Sequence, residues 1–413
     1  MANPHDILGD DTTPAHIILT TDRVKDDVSA GVQKMLLANP ASRVSGASNC
    51  AWSRIPSTCR RGSIEVRQQH HQKWHLQRLP AFTLVQFLPL DAQEATMERT
   101  TLGRTGIEVS RLCIGCWQAA GWTSSDDDRF VATVRHALDE GLTFLDTAAG
   151  YGDGHSEELV ARAISGRRDG VVLATKFAHT DSRPDAVRQS LEASLRRLRT
   201  DYVDLFQQHW PPPDIPLAET LGALERLKEE GKIRAIGVSN WMEPEWAELA
   251  DPACVDSLQP CYSLLWRPIE PHVLPLCRAH DIAVLPYSPL CQGVLAGRFT
   301  AAADIPQDMR QANHQLQPAV FPRVREVVHA VEDVGRTYGK TAGQTALRWL
   351  LDQEGVTAPI VGASRPEQVD ENLGALDWRL DRADWLRLAD LSWPLSAELG
   401  PHDTLWDSHP REA

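Results

Sequence analysis

From residue 97 to 395, short apolar runs alternate with stretches whose apolar positions recur every three or four residues. The first pattern is that of buried strands and the second that of amphipathic helices. The runs lie near 112–116, 142–146, 171–175, 203–206, 233–238, 255–259, 282–287 and 358–361. The helical stretches follow near 127–140, 154–165, 184–199, 217–230, 244–250, 270–280, 338–353 and 366–376. Strands that each lead into a helix predict an α/β fold, a parallel (β/α)8 barrel of the TIM type. Ahead of the first strand, Thr100–Ser110 reads as a hairpin turning at Arg104-Thr105-Gly106 and suited to plug the N-terminal mouth. The segment 291–322 is Gln/Pro/Ala-rich and weakly periodic, and reads as an enlarged loop after strand seven. Loops after barrel strands lie on the C-terminal face, where sites are built. A further amphipathic helix is expected near 382–391, and 396–413 is expected to be a C-terminal tail.

Residues 1–96 show no sustained period. They mix Pro, Ser, Arg, Gln and His and predict a largely disordered extension with a short helix near 26–38. Met97, where the pattern begins, reads as an alternative translation start. The run from Gln68 to His75 contains His70, His71 and His75 without metal-ligand spacing or partner carboxylates, and reads as a solvated segment.

Composition narrows the function classes. The 413 residues are 42% hydrophobic and 24% charged, ordinary for a globular chain. A formal charge of −14 argues against a nucleic-acid or anionic-membrane surface. No run approaches the ~18 consecutive apolar residues of a membrane span, and no basic segment leads into an apolar run at the N-terminus. The expected location is the cytoplasm. Eight cysteines in a chain this long make no disulfide scaffold. Cys113 and Cys116 sit inside an apolar strand run and read as reduced core thiols.

Residues at or just past the strand ends carry the chemistry. Strand two ends in Asp146 and leads to Tyr151, strand three ends at Lys176, and strand four continues to His209. All four would face one mouth. A phenol normally titrates near ~10, too weak an acid at neutral pH. A neighbouring ammonium favours the phenolate, and a carboxylate keeps a partly buried ammonium charged. The trio makes a tyrosine poised as general acid for a developing alkoxide, with His209 to orient the carbonyl oxygen. No G-x-G-x-x-G follows a strand, and no P-loop or H-E-x-x-H is present. No metal is expected. The triplet Asp126-Asp127-Asp128 reads as a first-turn cap of the next helix.

In order and context, Asp146, Tyr151, Lys176 and His209 resemble the catalytic tetrad of the aldo-keto reductase superfamily. Phe144-Leu145-Asp146-Thr147-Ala148, with Tyr151-Gly152 and Ser156-Glu157, is similar to its first signature. Gly237-Val238-Ser239-Asn240 resembles its strand-five motif, Gln259 its strand-six amide, and Tyr287-Ser288-Pro289-Leu290 its strand-seven motif. Gly362-Ala363-Ser364-Arg365-Pro366, with Gln368, Glu371 and Asn372, resembles the motif at the adenosine end. The nearest likeness is to the bacterial and plant group of general-stress and aryl-alcohol- or aldose-acting enzymes.

The resemblance covers about 97–395 and implies NADP(H) as cofactor. It implies that Asp146, Ser239, Asn240 and Gln259 serve the nicotinamide end and that Tyr287 stacks on the ring. Ser288, Leu290 and Gly293 would line the pyrophosphate path. Ser364, Arg365 and Gln368 would meet the 2′-phosphate, and Glu371 and Asn372 the adenine. A guanidinium before a helix N-terminus suits phosphate. Gly362 stands where the family usually has a lysine.

Trp117, Trp122, Trp210 and Trp241 follow strand ends and are expected to wall a hydrophobic slot for an aromatic or aliphatic aldehyde, while the resemblance implies hydride transfer between the nicotinamide and a small aldehyde, ketone or alcohol. Two competing readings remain at this level: a cofactor-sensing regulatory subunit of the same barrel family, and a barrel hydrolase or lyase without nicotinamide. Oligomeric state is not legible.

Overall fold

The computed structural model describes residues 97–119, 126–399 and 404–405, together with short backbone segments within 1–96. The chain divides into two units, 1–96 and 97–413. In the first, β1 (Leu19–Thr21), β2 (Ser45–Gly46) and β3 (Gly62–Glu65) form an antiparallel sheet in the order β1-β3-β2. The helix expected near 26–38 and the His70–His75 run lie outside the described residues.

The second unit opens with a hairpin of β4 (Arg99–Thr101) and β5 (Glu108–Ser110), registered Thr100 to Val109. Its turn contains Gly103 and Gly106, both at positive φ, and a Cβ at Gly103 would overlap the carbonyl oxygen of Asp281. Only glycine tolerates that approach. The Arg104 guanidinium donates to the His280 and Val255 carbonyls, which fastens the turn to the barrel. Leu102, Ile107 and Val109 from the hairpin pack with the inward residues Phe144, Ala174, Leu205, Ala235 and Ala283. The hairpin is thus the barrel's floor.

Eight parallel strands follow: β6 (Cys113–Gly115), β7 (Phe144–Asp146), β8 (Val172–Phe177), β9 (Val203–Gln208), β10 (Ile233–Ser239), β11 (Ser257–Gln259), β12 (Ala283–Val284) and β13 (Ile360–Gly362). They pair in the order β12-β11-β10-β9-β8-β7-β6-β13. The barrel closes where Thr357 N donates to Val284 O (2.9 Å) and Ile360 N to Pro286 O (2.8 Å).

The outer ring holds α1 (Asp127–Asp139), α2 (His155–Ala163), α3 (Pro184–Leu198), α4 (Leu217–Glu229), α5 (Glu243–Ala247) and α6 (Val273–Ala279). It continues with α7 (Phe321–Thr337), α8 (Ala342–Leu351), α9 (Pro366–Leu373) and α10 (Arg382–Leu399). Asp126 caps α1 by accepting from Arg129 N, and Asp127 and Asp128 occupy its first turn, as the acidic triplet suggested.

Three expectations need correction. Strand seven forms ladder pairs over Ala283–Val284, shorter than 282–287. Two helices, α7 and α8, follow it where one at 338–353 was expected; Gly339 at φ 65° separates them. The α7 stripe of Val324, Val327, Val328, Val331 and Val334 has helical spacing and is buried. The Pro- and Gln-rich approach to it obscured where the helix starts. The last helix runs on past 391 to Leu399, through Pro394. No described helix is long and apolar enough to cross a membrane.

Candidate active site

The tetrad is assembled by register. Asp146 ends β7 beside Ala174 of β8, and Lys176 of β8 stands beside Gln207 of β9. Tyr151 sits in the tight loop before α2, where its N–H donates to Ala148 O (3.1 Å) and its carbonyl accepts from Ser156 N (3.2 Å). Behind that loop, Ser156 Oγ donates to Cys116 O (2.9 Å), and the buried Glu157 bridges Thr175 and Arg197, each at 2.6 Å. The tyrosine's loop is therefore tied to the strands on both sides of it. His209 follows β9 and its N–H donates to Phe177 O (3.0 Å). Its ring meets Tyr151 edge-on, centroids 5.7 Å apart at 76°.

Lys176 is fully buried and its Nζ makes three hydrogen bonds: to Asp146 Oδ1 (2.5 Å), Thr147 O (2.9 Å) and Tyr151 Oη (3.2 Å). Burial opposes the ammonium charge, but Asp146 and Tyr151 outweigh it and hold its pKa above the ordinary lysine range. For Tyr151 burial is the larger influence and raises its pKa; Lys176 pulls the other way without overcoming it. The lysine acts in the expected direction, but the phenol stays above its ordinary value because the walled cleft disfavours phenolate. Tyr151 accordingly keeps its proton through the neutral range. His209 is pushed down to about 3 by burial, then by Lys176 and His179, so its imidazole is neutral. A neutral imidazole can still donate one hydrogen bond.

Above the tetrad lies a cleft of about 1020 Å³ at the C-terminal mouth. Tyr151, His209, Trp117, Trp210 and His179 line one part of it. Trp117 packs 6.3 Å from the Tyr151 ring. Ser239, Asn240, Gln259 and Tyr287 line the middle. Here Ser239 Oγ donates to Gln259 O (2.8 Å), Asn240 Nδ2 to His209 O (3.0 Å), and Tyr287 Oη to Asn240 Oδ1 (2.8 Å). Asn240 takes a left-handed φ of 60°, which turns its amide back toward His209.

Ser288, Leu290 and Gly293 form the wall after β12, and Gly362, Ser364 and Gln368 line the far end. Ser364 N and Oγ both donate to Gln368 Oε1 (2.8 and 3.0 Å). Arg365 stands at the N-cap position of α9, its half-exposed side chain 3.6 Å from Glu367. Arg365, Glu371 and Asn372 stand on or beside α9 without lining the cleft; Asn372 Nδ2 donates to Gly362 O (3.4 Å). Lys176 lies beneath the cleft floor.

One expected wall residue is elsewhere. Trp241 is 1% exposed, donates its indole N–H to Gln208 Oε1 (3.0 Å) and packs edge-on against Trp246. It belongs to the layer between β10 and α5, because its indole finds a hydrogen-bond partner there and not in the cleft. Trp122 falls outside the described residues.

Several lining residues escape a reading of the sequence alone: Cys116, Gln118, His179, Gln292, Arg298 and Arg310. Their shared signal is position, since each follows a strand end or lies in the long loop after β12. Gln118 fills the space that any side chain at position 362 would need. Gln118 Oε1 and Gln292 Nε2 are buried without a hydrogen-bond partner among the described residues, which suits a polar ligand. The cleft thus offers amides and a hydroxyl beside Asp146, a tyrosine ring next to them, and arginines with a helix N-terminus farther along. That sequence of groups fits an amide-bearing aromatic ring joined to an anionic linker, as in a nicotinamide dinucleotide.

A proton-holding phenol beside a buried ammonium, over such a cleft at a barrel's C-terminal mouth, marks a barrel oxidoreductase. The model of the aldo/keto reductase family matches residues 111–392, and the chain belongs to that family. It is an enzyme family of NAD(P)H-dependent carbonyl reduction. The chain is 38% identical to the aldo-keto reductase YhdN of Bacillus subtilis, over 70% of this chain and 91% of that one. It is 34% identical to the NADH-specific methylglyoxal reductase of Escherichia coli, over 70% and 96%. Among solved structures, an aldo/keto reductase from Klebsiella pneumoniae in complex with NADP and acetate matches with TM-score 0.60 and 34% identity, over 71% and 95%. A glycerol dehydrogenase from Gluconobacter oxydans matches with TM-score 0.65 and 33% identity, over 72% and 95%.

Proposed function

We propose that the barrel, residues 97–395, reduces small aldehydes or ketones with NADPH, and oxidises the alcohols in reverse, with Tyr151 as general acid and base. The observation that carries this reading is the 3.2 Å hydrogen bond from a buried, charged Lys176 to the hydroxyl of a protonated Tyr151 that opens onto the cleft. When bound, the nicotinamide supplies the hydride. The chain's own groups do the rest. Neutral His209 and the Tyr151 hydroxyl converge on one carbonyl oxygen and hold it by hydrogen bonds. As negative charge grows on that oxygen, Tyr151 gives up its proton, and Lys176 stabilises the phenolate left behind. Trp117 and Trp210 exclude water and favour an apolar or aromatic carbonyl compound.

Ser239, Asn240 and Gln259 would hold the carboxamide, and Tyr287 would cover the ring. Arg298 and Arg310 would face the diphosphate. Ser364 and Arg365, at the N-terminus of α9, favour the 2′-phosphate and hence NADP(H). The relatives differ here, since the Escherichia coli protein is named NADH-specific and the Klebsiella structure holds NADP. The test is intrinsic tryptophan fluorescence titrated with each nucleotide. Arg365→Ala is expected to weaken NADPH about tenfold and NADH less than about threefold, the worth of one charge-assisted phosphate contact. Equal loss for both nucleotides, or none, removes Arg365 from the phosphate site. Turnover with a panel of aldehydes tests the activity itself, and an inert protein would leave the cofactor-sensing reading.

The depressed His209 pKa has its own consequence. Its imidazole stays neutral above about 3, so the pH profile of kcat/KM should carry no limb near the ordinary histidine value. A limb near pH ~6.5 that vanishes in His209→Gln would contradict the neutral assignment.

A further inference from the structure

Asp146 has two carboxylate oxygens, and Lys176 occupies one. The other, Oδ2, accepts from Gln207 Nε2 at 2.9 Å and from Gln259 Nε2 at 3.0 Å. Gln207 Oε1 in turn accepts from Gln259 Nε2 at 3.2 Å. Carboxylate and amides form a closed triangle inside the barrel, and all three residues are buried. Gln207 stands on β9, next to Lys176 in register, and reaches past β8 to β7. Its room comes from Gly237 on β10, its register partner on the other side, where a Cβ would lie 2.6 Å from Gln207 Cγ. An amide in a barrel interior is out of place as packing, since its polar groups need partners there. Both ends of this amide have one.

We propose that Gln207 is a positioning residue: by fixing Asp146 Oδ2 it sets the charge that Lys176 presents to Tyr151, and through Gln259 it joins the cofactor side of the cleft to the proton donor. The proposal rests on the reading of Tyr151 as acid. Two N–H donors hold the carboxylate plane so that Oδ1 faces Lys176, and they draw negative charge toward Oδ2. Without Gln207, Oδ1 carries more charge, neutralises Lys176 more fully, and leaves Tyr151 a weaker acid. Gln259 spends its N–H donors inward, so its Oε1 is the end left for the cleft.

The groups facing Tyr151 are Lys176 from β8, Asp146 from β7, Cys116 after β6 and His209 after β9, with His179, which lines the same cleft, acting on His209. Burial raises Cys116 far above a usual thiol, and His209 stays neutral. An alkaline limb in turnover therefore reports Tyr151 with its lysine.

The experiment compares Gln207→Met, which keeps the shape without the donor, with Gln207→Glu and Gly237→Ala. The readouts are kcat against pH, NADPH affinity by fluorescence, and melting temperature. In Gln207→Met kcat should fall about tenfold and the alkaline limb should move up by about half a unit, with NADPH affinity within about threefold. Gly237→Ala, which displaces the same side chain, should shift the limb in the same direction. Gln207→Glu should keep turnover at low pH, where its carboxyl still donates to Asp146. It should lose turnover as that carboxyl ionises, adding a limb the native enzyme lacks. An unmoved limb in Gln207→Met with no added limb in Gln207→Glu, while Tyr151→Phe is inert, overturns the positioning role alone. An active Tyr151→Phe overturns the acid reading and this role with it.

Discussion

Replacing Tyr151 by Phe is expected to lower kcat by about a thousandfold while leaving NADPH affinity within about twofold, the range set by losing a positioned general acid. The ring remains, and with it the packing 6.3 Å from Trp117 and the edge contact with His209. Lys176 keeps Asp146 and Thr147 O, so removing the hydroxyl strands no buried charge. The loop that carries the residue is held by backbone bonds and by Ser156 and Glu157, none of which involves the phenol. The loss should therefore appear in the chemical step, and single-turnover measurement with bound NADPH isolates it. Turnover within tenfold of the native enzyme would remove Tyr151 as the proton donor.

Lys176→Met should cost as much in kcat and, unlike Tyr151→Phe, should also cost stability. Lys176 and Asp146 form a buried pair, with 0% and 3% of their side chains exposed. Removing the ammonium leaves the Asp146 carboxylate facing only the two glutamine amides. Breaking one side of such a pair costs on the order of 3–5 kcal/mol. Asp146→Asn added to Lys176→Met should return part of that stability and none of the activity. Denaturant unfolding of the single and double variants checks this. A single variant as stable as the native protein would show that Asp146 takes up a proton at little cost.

The barrel was legible because burial on both faces writes parallel strands as apolar runs, and the runs at β8, β9 and β10 begin within a residue or so of the observed ladders. The tetrad was legible for the same reason: its members lie at or just past the ends of those runs. What stayed hidden depends on contacts distant in sequence. Arg298 and Arg310 reach the cleft through a loop whose turns include left-handed Ser288, Cys291 and Gln292, a path without periodicity. Trp241 has the position of a pocket wall, and only the neighbouring Gln208 amide and Trp246 ring draw it into the core. The state of the Tyr151 phenol is a contest between burial and one ammonium, and a sequence names the ammonium without giving the burial.

The hairpin under the barrel bears on traffic. With Leu102 and Val109 seated among the inward residues of the strands, the interior is a cul-de-sac. A molecule that reaches the Tyr151 hydroxyl then enters and leaves by the C-terminal mouth, since the opposite end is stoppered.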